Sequence, residues 1–202
     1  MAKDFIYLAS ASPRRGALLD QIGVPFRVLA AAVDESRREN ESPEAYVGRV
    51  AAEKADRVWE RVEARDPAPV LAADTAVVVD GEVFGKPVDE TEALGMLEQL
   101  SGRRHTVLTA LALRWQSDRD GLVASSEVRF RATTAAERSA YCRSGEPFGK
   151  AGAYAIQGLG AVFVENLSGS YSAVMGLPLC ETALMLRRFG LPAWLVGGTE
   201  SG

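Results

Sequence analysis

The apolar positions of this chain form short runs and periodic segments that predict strands alternating with helices. Strands are predicted where Val, Ala, Leu or Ile form runs bounded by turn residues. Helices are predicted where apolar residues recur every three or four positions after a Ser-Pro, Asp-x-x-Glu or Thr-x-x-Glu start. The predicted strands or extended segments are 5–9, 25–33, Val70–Val79, 82–85, 105–115, 122–132 and 161–164, and the predicted helices are 13–22, 43–64, 89–101, 134–145 and 178–190.

A tight hairpin is predicted at Asp80-Gly81, because this dipeptide suits a two-residue turn. Such a turn pairs Val77 with Phe84 and places Thr75 opposite Lys86. Since this pair is antiparallel and other strands alternate with helices, we expect an α/β fold with a mixed sheet. The chain has 202 residues, enough to bury a sizeable core, and we expect a single domain over residues 1–202.

Composition and charge narrow the function classes. Hydrophobic residues make up 47% of the chain and charged residues 25%, and the net charge is −4 with both signs interspersed. This balance argues against a general surface for nucleic acid or membrane, so any cationic function is local to a pocket. The apolar run near the N-terminus is too short for a secretory signal. Cys142, Cys180 and His105 lack disulfide or zinc spacing, and we expect a reducing, cytoplasmic location.

The segment SASPRR places Arg14 and Arg15 in the first turn of the first predicted helix. That end of a helix already carries a partial positive charge and free N–H groups, so arginines there are unfavourable unless an anion binds. Guanidinium groups bind phosphate in a bidentate manner, and Ser10 and Ser12 add hydroxyl donors. Two solvent-exposed arginines beside a capping Ser12 explain the pattern equally well.

Asp74 lies inside the apolar strand Val70–Val79. A carboxylate in such surroundings must be paired, metal-bound or protonated, so Asp74 is a candidate catalytic residue. The hairpin brings Lys86 near Thr75, although a bulge or a strand end near Gly85 is needed for Lys86 to reach Asp74. A solvated edge lysine remains the alternative for Lys86, and a residue that caps a turn remains the alternative for Asp74.

Lys54 interrupts the apolar stripe of the helix 43–64, four residues from both Val50 and Val58. It either reaches a phosphate pocket or extends along the apolar surface into solvent, which is the more frequent arrangement. Glu35 is a weaker candidate for a second carboxylate near the site.

The Gly-rich segment 149–178 is a candidate base-binding region, in which Tyr154, Gln157 and Tyr171 can contact a base. A set of turns around a short strand is the alternative. The GEPFGK stretch is one residue short of a P-loop, and Gly158-Leu159-Gly160 lacks the rest of a dinucleotide fingerprint. His105 is alone in the sequence and is expected to be structural.

Six segments in order make the sequence resemble the Maf family of nucleotide pyrophosphatases: SASPRR, AAEKA, ADT with GKP, LSGRRHTVLT, AGAYAIQG and GSYSAVMGLPL. The resemblance implies an elongated mixed sheet flanked by helices, with two lobes around a cleft as in the inosine-triphosphate pyrophosphatases, and a homodimer. It implies hydrolysis of a nucleoside triphosphate to the monophosphate and pyrophosphate. It also implies a divalent cation, Mg²⁺ or Mn²⁺, with Co²⁺ as a further candidate.

The resemblance also implies residue roles. Asp74 would be the catalytic proton acceptor and would hold the metal with Glu35. The residues that would hold phosphates are Ser10, Arg14, Arg15, Lys54 and Lys86. The family branch that acts on dTTP and UTP has Arg, Thr and Gln at the three positions that distinguish substrates, and this chain has Arg14, Thr75 and Gln157 there. It therefore resembles the dTTP/UTP branch, with modified pyrimidine nucleotides as further substrates.

The sequence departs from the family pattern at two positions of the Gly-rich segment. Gly149 stands where Asp is common, and Ala155 stands where Gly is common. Both affect the loop and neither replaces a residue assigned to chemistry. Two alternatives stay open: a pyrophosphatase for another nucleotide such as 7-methyl-GTP, and a nucleotide-binding regulator of cell division.

Overall fold

A computed structural model describes residues 4–191, and within this range the strands form one mixed sheet of seven. The strands are β1 (Ile6–Leu8), β2 (Phe26–Val28), β3 (Val70–Val79), β4 (Glu82–Phe84), β5 (Arg104–Trp115), β6 (Asp118–Phe130) and β7 (Val164–Ser168). The helices are α1 (Pro13–Gln21), α2 (Pro43–Val62), α3 (Glu90–Leu100), α4 (Ala135–Arg143), α5 (Tyr171–Met175) and α6 (Leu179–Arg188), with 3₁₀ turns at Ala151–Ala153 and Leu159–Phe163.

The sheet has the order β2-β1-β3-β5-β6-β7, and β4 also pairs with β3. β1 runs parallel to β2 and β3, whereas β3, β4, β5, β6 and β7 form antiparallel pairs. The predicted α/β class with a mixed sheet flanked by helices is therefore confirmed. No helix among residues 4–191 combines the length and apolar character needed to cross a bilayer.

The pairing of β3 explains where a cavity can form. One edge of β3 is paired with β5 from Val70 to Val78. The other edge pairs with β1 only at Val70 and Leu71 and with β4 only from Val77 onward. Between these two short partners, the edge at residues 72–76 has no strand beside it in the described part of the chain, and it is accessible to side chains from other elements.

Local signals explain most of the elements. Asp80 and Gly81 have φ of 50° and 83°, as a type I′ turn requires, and Val77 pairs with Phe84 as predicted. Thr134 and Glu137 form a reciprocal capping box at α4. The valines of the α2 stripe are buried against β3 and β5, which confirms the amphipathic pattern of that helix.

Three predictions were wrong in detail. β6 begins at Asp118 rather than at residue 122, because a tight turn at residues 116–117 sends the polar segment Asp118–Gly121 directly back along β5. The predicted strand 161–164 belongs largely to the 3₁₀ turn, and β7 begins only at Val164. α5 was not predicted, since five residues are too few to show helical periodicity.

Candidate active site

A cavity of about 420 Å³ lies at the open edge of β3, between the β1–α1 loop, α2 and the segment 149–157. Several of its lining residues are those predicted from the sequence: Ser10, Arg14, Arg15, Glu35, Lys54, Asp74, Thr75, Lys86 and Gln157. Since β1 and β4 leave this edge free, Asp74 and Thr75 both border the cavity although they point to opposite faces of β3.

Arg15 is held in place by three hydrogen bonds. Its Nη1 donates to Ser10 Oγ at 2.9 Å and its Nε donates to the Gly176 carbonyl at 2.8 Å. Its Nη2 donates to Thr75 Oγ1 at 3.2 Å, and Thr75 also lies 3.0 Å from Thr109 Oγ1. Desolvation lowers the pKa of Arg15 to about 10, with Asp74 acting in the opposite direction, so the guanidinium is charged at neutral pH.

Arg14 differs from its neighbour, because it makes no hydrogen bond or ion pair with residues 4–191 although it lines the same cavity. Partial burial lowers its pKa. Ser12 takes the N-cap position of α1 as predicted, but its side chain makes no capping hydrogen bond. The Ser12 N–H instead donates to Ser10 Oγ at 3.2 Å. A free guanidinium at an uncapped helix start is well placed to bind an anion.

Asp74 and Glu35 share the ammonium group of Lys54. Lys54 Nζ donates to Asp74 Oδ1 at 2.8 Å and lies 2.6 Å from Glu35 Oε1. The side chains of Lys54 and Asp74 are 9% and 10% exposed, so Lys54 does not extend into solvent. Lys54 therefore extends from the apolar face of α2 to β3. There the negative charge of the buried Asp74 compensates the buried ammonium group.

Lys86 approaches Glu35 from the other side of the cavity. β4 ends at Phe84, so Lys86 lies beyond the ladder, and its Nζ donates to Glu35 Oε2 at 3.3 Å. The expected strand end near Gly85 is present, but the lysine contacts Glu35 rather than Asp74. Partial burial opposes ionisation of Glu35, yet hydrogen bonds and charges from Lys54 and Lys86 outweigh it and lower the pKa of Glu35.

The Gly-rich segment contributes only part of what was predicted. Gln157 is exposed, lines the cavity and makes no hydrogen bond with the described residues. Tyr154 also lines the cavity, but its hydroxyl lies 2.9 Å from His105 Nε2. Tyr171 is exposed and does not line the cavity, so its proposed contact with a base finds no support.

Lys150 is a cavity residue that sequence reasoning missed. Its Nζ donates to the Glu146 carbonyl at 2.6 Å, and burial together with the charge of Arg14 lowers the pKa of Lys150. The available signal was the position of Lys150 directly before AGAY, one of the segments on which the resemblance rests.

Asp74 and Glu35 are the two cavity carboxylates whose chemistry fits a divalent cation. Asp74 and Glu35 both lie within hydrogen-bond distance of one ammonium group, so both can bind a single cation. Residues 4–191 contain no group of three or more His, Cys, Asp or Glu side chains arranged to hold a metal. Mg²⁺ is commonly bound by one or two carboxylates together with substrate phosphates and water, and this donor set agrees with that pattern.

Comparison with known proteins agrees with the sequence motifs. The family described as Maf-like protein matches residues 5–189. A Polaromonas protein named dTTP/UTP pyrophosphatase is 49% identical over 94% of this chain and 98% of its own length. Proteins of the same name from Bordetella avium and Burkholderia pseudomallei are each 50% identical, over 92% and 91% of this chain and 96% and 92% of their own lengths. A solved Staphylococcus aureus Ham1 protein aligns with a TM-score of 0.41 and 16% identity over 62% of this chain and 71% of its own.

Proposed function

Because the chain belongs to the Maf family, we propose that it is a nucleoside triphosphate pyrophosphatase that hydrolyses dTTP and UTP to the monophosphate and pyrophosphate. The observation that carries this proposal is the charge of the cavity. Among the described residues, five cationic side chains and two carboxylates line it, whereas the chain as a whole has a net charge of −4. A polyphosphate is the substrate class that such a local excess of positive charge attracts.

The cations have separate roles in this proposal. Arg15 is fixed by Ser10, Thr75 and the Gly176 carbonyl, and therefore offers a preorganised charge. Arg14 makes no ion pair with residues 4–191, so it binds a phosphate without first breaking a pair with any of them. Lys54 and Lys86 lie beside Glu35 and stabilise negative charge that develops on the leaving pyrophosphate.

Asp74 is proposed to accept the proton of the attacking water. The water oxygen forms a bond to the α-phosphorus, the bond from that phosphorus to the β-bridging oxygen breaks, and pyrophosphate leaves with the electron pair. A carboxylate is a weak base near neutral pH, so it acts best on a polarised water. A divalent cation, Mg²⁺ or Mn²⁺, would be held by Asp74 and Glu35, and when bound it supplies Lewis-acid polarisation of water and phosphate oxygens.

Base selection is assigned to three residues that line the cavity. Gln157 presents both a carbonyl acceptor and an amide donor, which can pair with the edge of a pyrimidine. Thr75 acts through its hydrogen bond to Arg15, and Arg14 lines the same cavity as both. The homodimer and the cytoplasmic location implied by the family stay predictions.

The test is pyrophosphate release from dTTP, UTP, 7-methyl-GTP and ATP by the wild type and by Asp74→Asn. We expect turnover of dTTP and UTP to exceed that of the purine nucleotides. Asp74→Asn is expected to lose at least about a hundredfold in kcat while its circular dichroism is unchanged, since the proton acceptor is removed. Tight nucleotide binding without turnover by the wild type would instead indicate a nucleotide-sensing regulator.

A further inference from the structure

The loop that carries Gln157 is fixed by a carboxylate that lies behind it. Glu146 Oε1 accepts a hydrogen bond from the Gly160 N–H at 3.0 Å and one from the Tyr141 hydroxyl at 2.8 Å. Glu146 Oε2 accepts from the Leu159 N–H at 3.0 Å. Glu146 is not among the residues that line the cavity, and its carboxylate is linked to the site through this loop.

Tyr141 provides a second anchor on the other side of Gln157. Its hydroxyl donates to Glu146 and accepts a hydrogen bond from the Ala155 N–H at 3.1 Å. The backbone amides of Ala155, Leu159 and Gly160 therefore all bind one Tyr141–Glu146 pair. Gln157 lies between these anchors, in a turn closed by a 3.2 Å hydrogen bond from the Gly158 N–H to the Ala155 carbonyl.

Two glycines allow the backbone to approach this pair. A Cβ on Gly158 would collide with the Glu146 carboxylate, and a Cβ on Gly160 would lie 2.8 Å from the Tyr141 hydroxyl and 2.9 Å from the Ala155 carbonyl oxygen. A larger residue at either position would therefore displace the Tyr141–Glu146 pair or the backbone that it holds. The two glycines of Gly158-Leu159-Gly160, a sequence that lacks the rest of a dinucleotide fingerprint, therefore let the loop backbone lie against the Tyr141–Glu146 pair.

Glu146 is itself held firmly. Its carbonyl accepts from Lys150 Nζ at 2.6 Å, and its N–H donates to Ser144 Oγ at 3.2 Å. Partial burial raises the pKa of its carboxyl, but the amides of Gly160 and Leu159 and the Tyr141 hydroxyl outweigh this and lower it. The carboxylate is therefore ionised at neutral pH and can accept all three hydrogen bonds.

We propose that Glu146 is a positioning residue that, together with Tyr141, holds the 155–160 loop so that Gln157 can read the pyrimidine base. The proposal rests on the function proposed above, because it concerns the same site. The Glu146 side chain makes no hydrogen bond or ion pair with Arg14, Arg15, Lys54, Lys86 or Asp74 among the described residues. Its backbone carbonyl does accept from Lys150, but a side-chain substitution keeps that contact, so we assign its effect on substrate choice to the position of Gln157.

The variant that tests the proposal is Glu146→Gln. It preserves the size of the side chain but replaces one acceptor oxygen with an NH₂ group, which cannot accept from Leu159 or Gly160. Glu137→Gln is the matched control. Like Glu146, Glu137 accepts a hydrogen bond from a backbone amide, that of Thr134 at the start of α4, but it lies outside the 155–160 loop and its second partner is Arg131. We expect Glu146→Gln to lower the ratio of kcat/KM for dTTP to that for dGTP about tenfold, mainly through a higher KM for dTTP.

A double-mutant cycle with Gln157→Ala separates positioning from a general loss of stability. If Glu146 acts through Gln157, Glu146→Gln changes the ratio in the wild-type background and has no further effect on it when Gln157 is Ala. A purely structural role would lower the active fraction and leave the ratio unchanged. An unchanged ratio, or additive effects in the cycle, would overturn the proposal.

Amide hydrogen exchange at Leu159 and Gly160, measured by NMR, distinguishes this proposal from the proposed function. Faster exchange at these two amides in Glu146→Gln than in Glu137→Gln supports the anchoring role without any substrate. Unchanged exchange overturns it. Failure of the wild type to hydrolyse dTTP would refute the proposed pyrimidine pyrophosphatase, while the exchange result would still decide whether Glu146 anchors the loop.

Discussion

The residues assigned to the phosphates and the loop assigned to the base, called here the phosphate end and the base end of the cavity, are held in different ways. At the phosphate end, the residues assigned to chemistry hold one another: Lys54 binds Asp74 and Glu35, and Arg15 binds Ser10 and Thr75. At the base end, Gln157 makes no hydrogen bond with the described residues, and the loop that carries it is held from behind by Glu146 and Tyr141. Stability and chemistry are therefore coupled at the phosphate end and separable at the base end.

The largest loss of stability is expected from Lys54→Met, which removes the ammonium group that Asp74 and Glu35 share. The substitution removes the ammonium group that is hydrogen-bonded to the buried Asp74 and leaves that carboxylate with the electrostatic attraction of Arg15, and removing one partner of a buried pair typically costs about 3–5 kcal/mol. We expect a loss near the lower limit, because Glu35 is partly exposed and can be hydrated. Urea denaturation monitored by circular dichroism measures the change.

Arg57→Met is the matched control on the same helix, since Arg57 forms only an exposed pair with Glu60. Equal free energies of unfolding for Lys54→Met and Arg57→Met would contradict the coupling of stability and chemistry at the phosphate end.

A second prediction concerns the pH dependence of stability, which involves His105, the neighbour of the cavity residue Tyr154. His105 is buried against the rings of Phe130 and Tyr154, and burial lowers its pKa from about 6.5 to about 4. Between these pH values the unfolded chain binds a proton that the native state does not bind, so stability falls as the pH falls from 6.5 to 4. The total contribution is about 3.5 kcal/mol, from a shift of about 2.5 units at about 1.4 kcal/mol for each unit.

Stability curves of the wild type and His105→Phe between pH 7 and 4 test this prediction. The sequence contains one histidine, so the variant removes the only imidazole and should flatten the curve between pH 6.5 and 5. The variant also loses the hydrogen bond between His105 and Tyr154, so its absolute stability is lower and only the slopes are compared. Identical slopes would show that His105 titrates normally in the native state.

The difference between the two ends also explains what the sequence could predict. Pro13, Asp80-Gly81 and the Thr134–Glu137 box act through neighbours in the chain, so helix starts and the hairpin follow from local spacing. Lys54 was recognisable because a lysine interrupted an apolar stripe. The candidates at the phosphate end carry charge in unusual surroundings, which is visible in a sequence.

The anchor of the base end has no such signal. Glu146 binds amides 13 and 14 residues away, and a single glutamate in a polar segment gives no indication of its partners. Lys150 likewise enters the cavity only because the 146–150 turn folds back toward Arg14. Lys86 and Glu35 are 51 residues apart in the chain, and their contact depends on the residue at which β4 ends. Strand propensity does not predict the end of a strand to a single residue.

The smallest effect on stability is expected from Gln157→Glu, which tests whether stability and substrate choice are separable at the base end. Gln157 is exposed and makes no hydrogen bond within residues 4–191, so the free energy of unfolding should change by less than about 0.5 kcal/mol. A carboxylate lacks the amide donor and cannot pair with a pyrimidine edge in the same way, so kcat/KM for dTTP and UTP should fall about tenfold or more. Steady-state pyrophosphate release and urea denaturation on the same preparation measure both quantities. A substrate profile that stays unchanged would remove Gln157 from base selection, whereas a large loss of stability would show that the base end is coupled in the same way as the phosphate end.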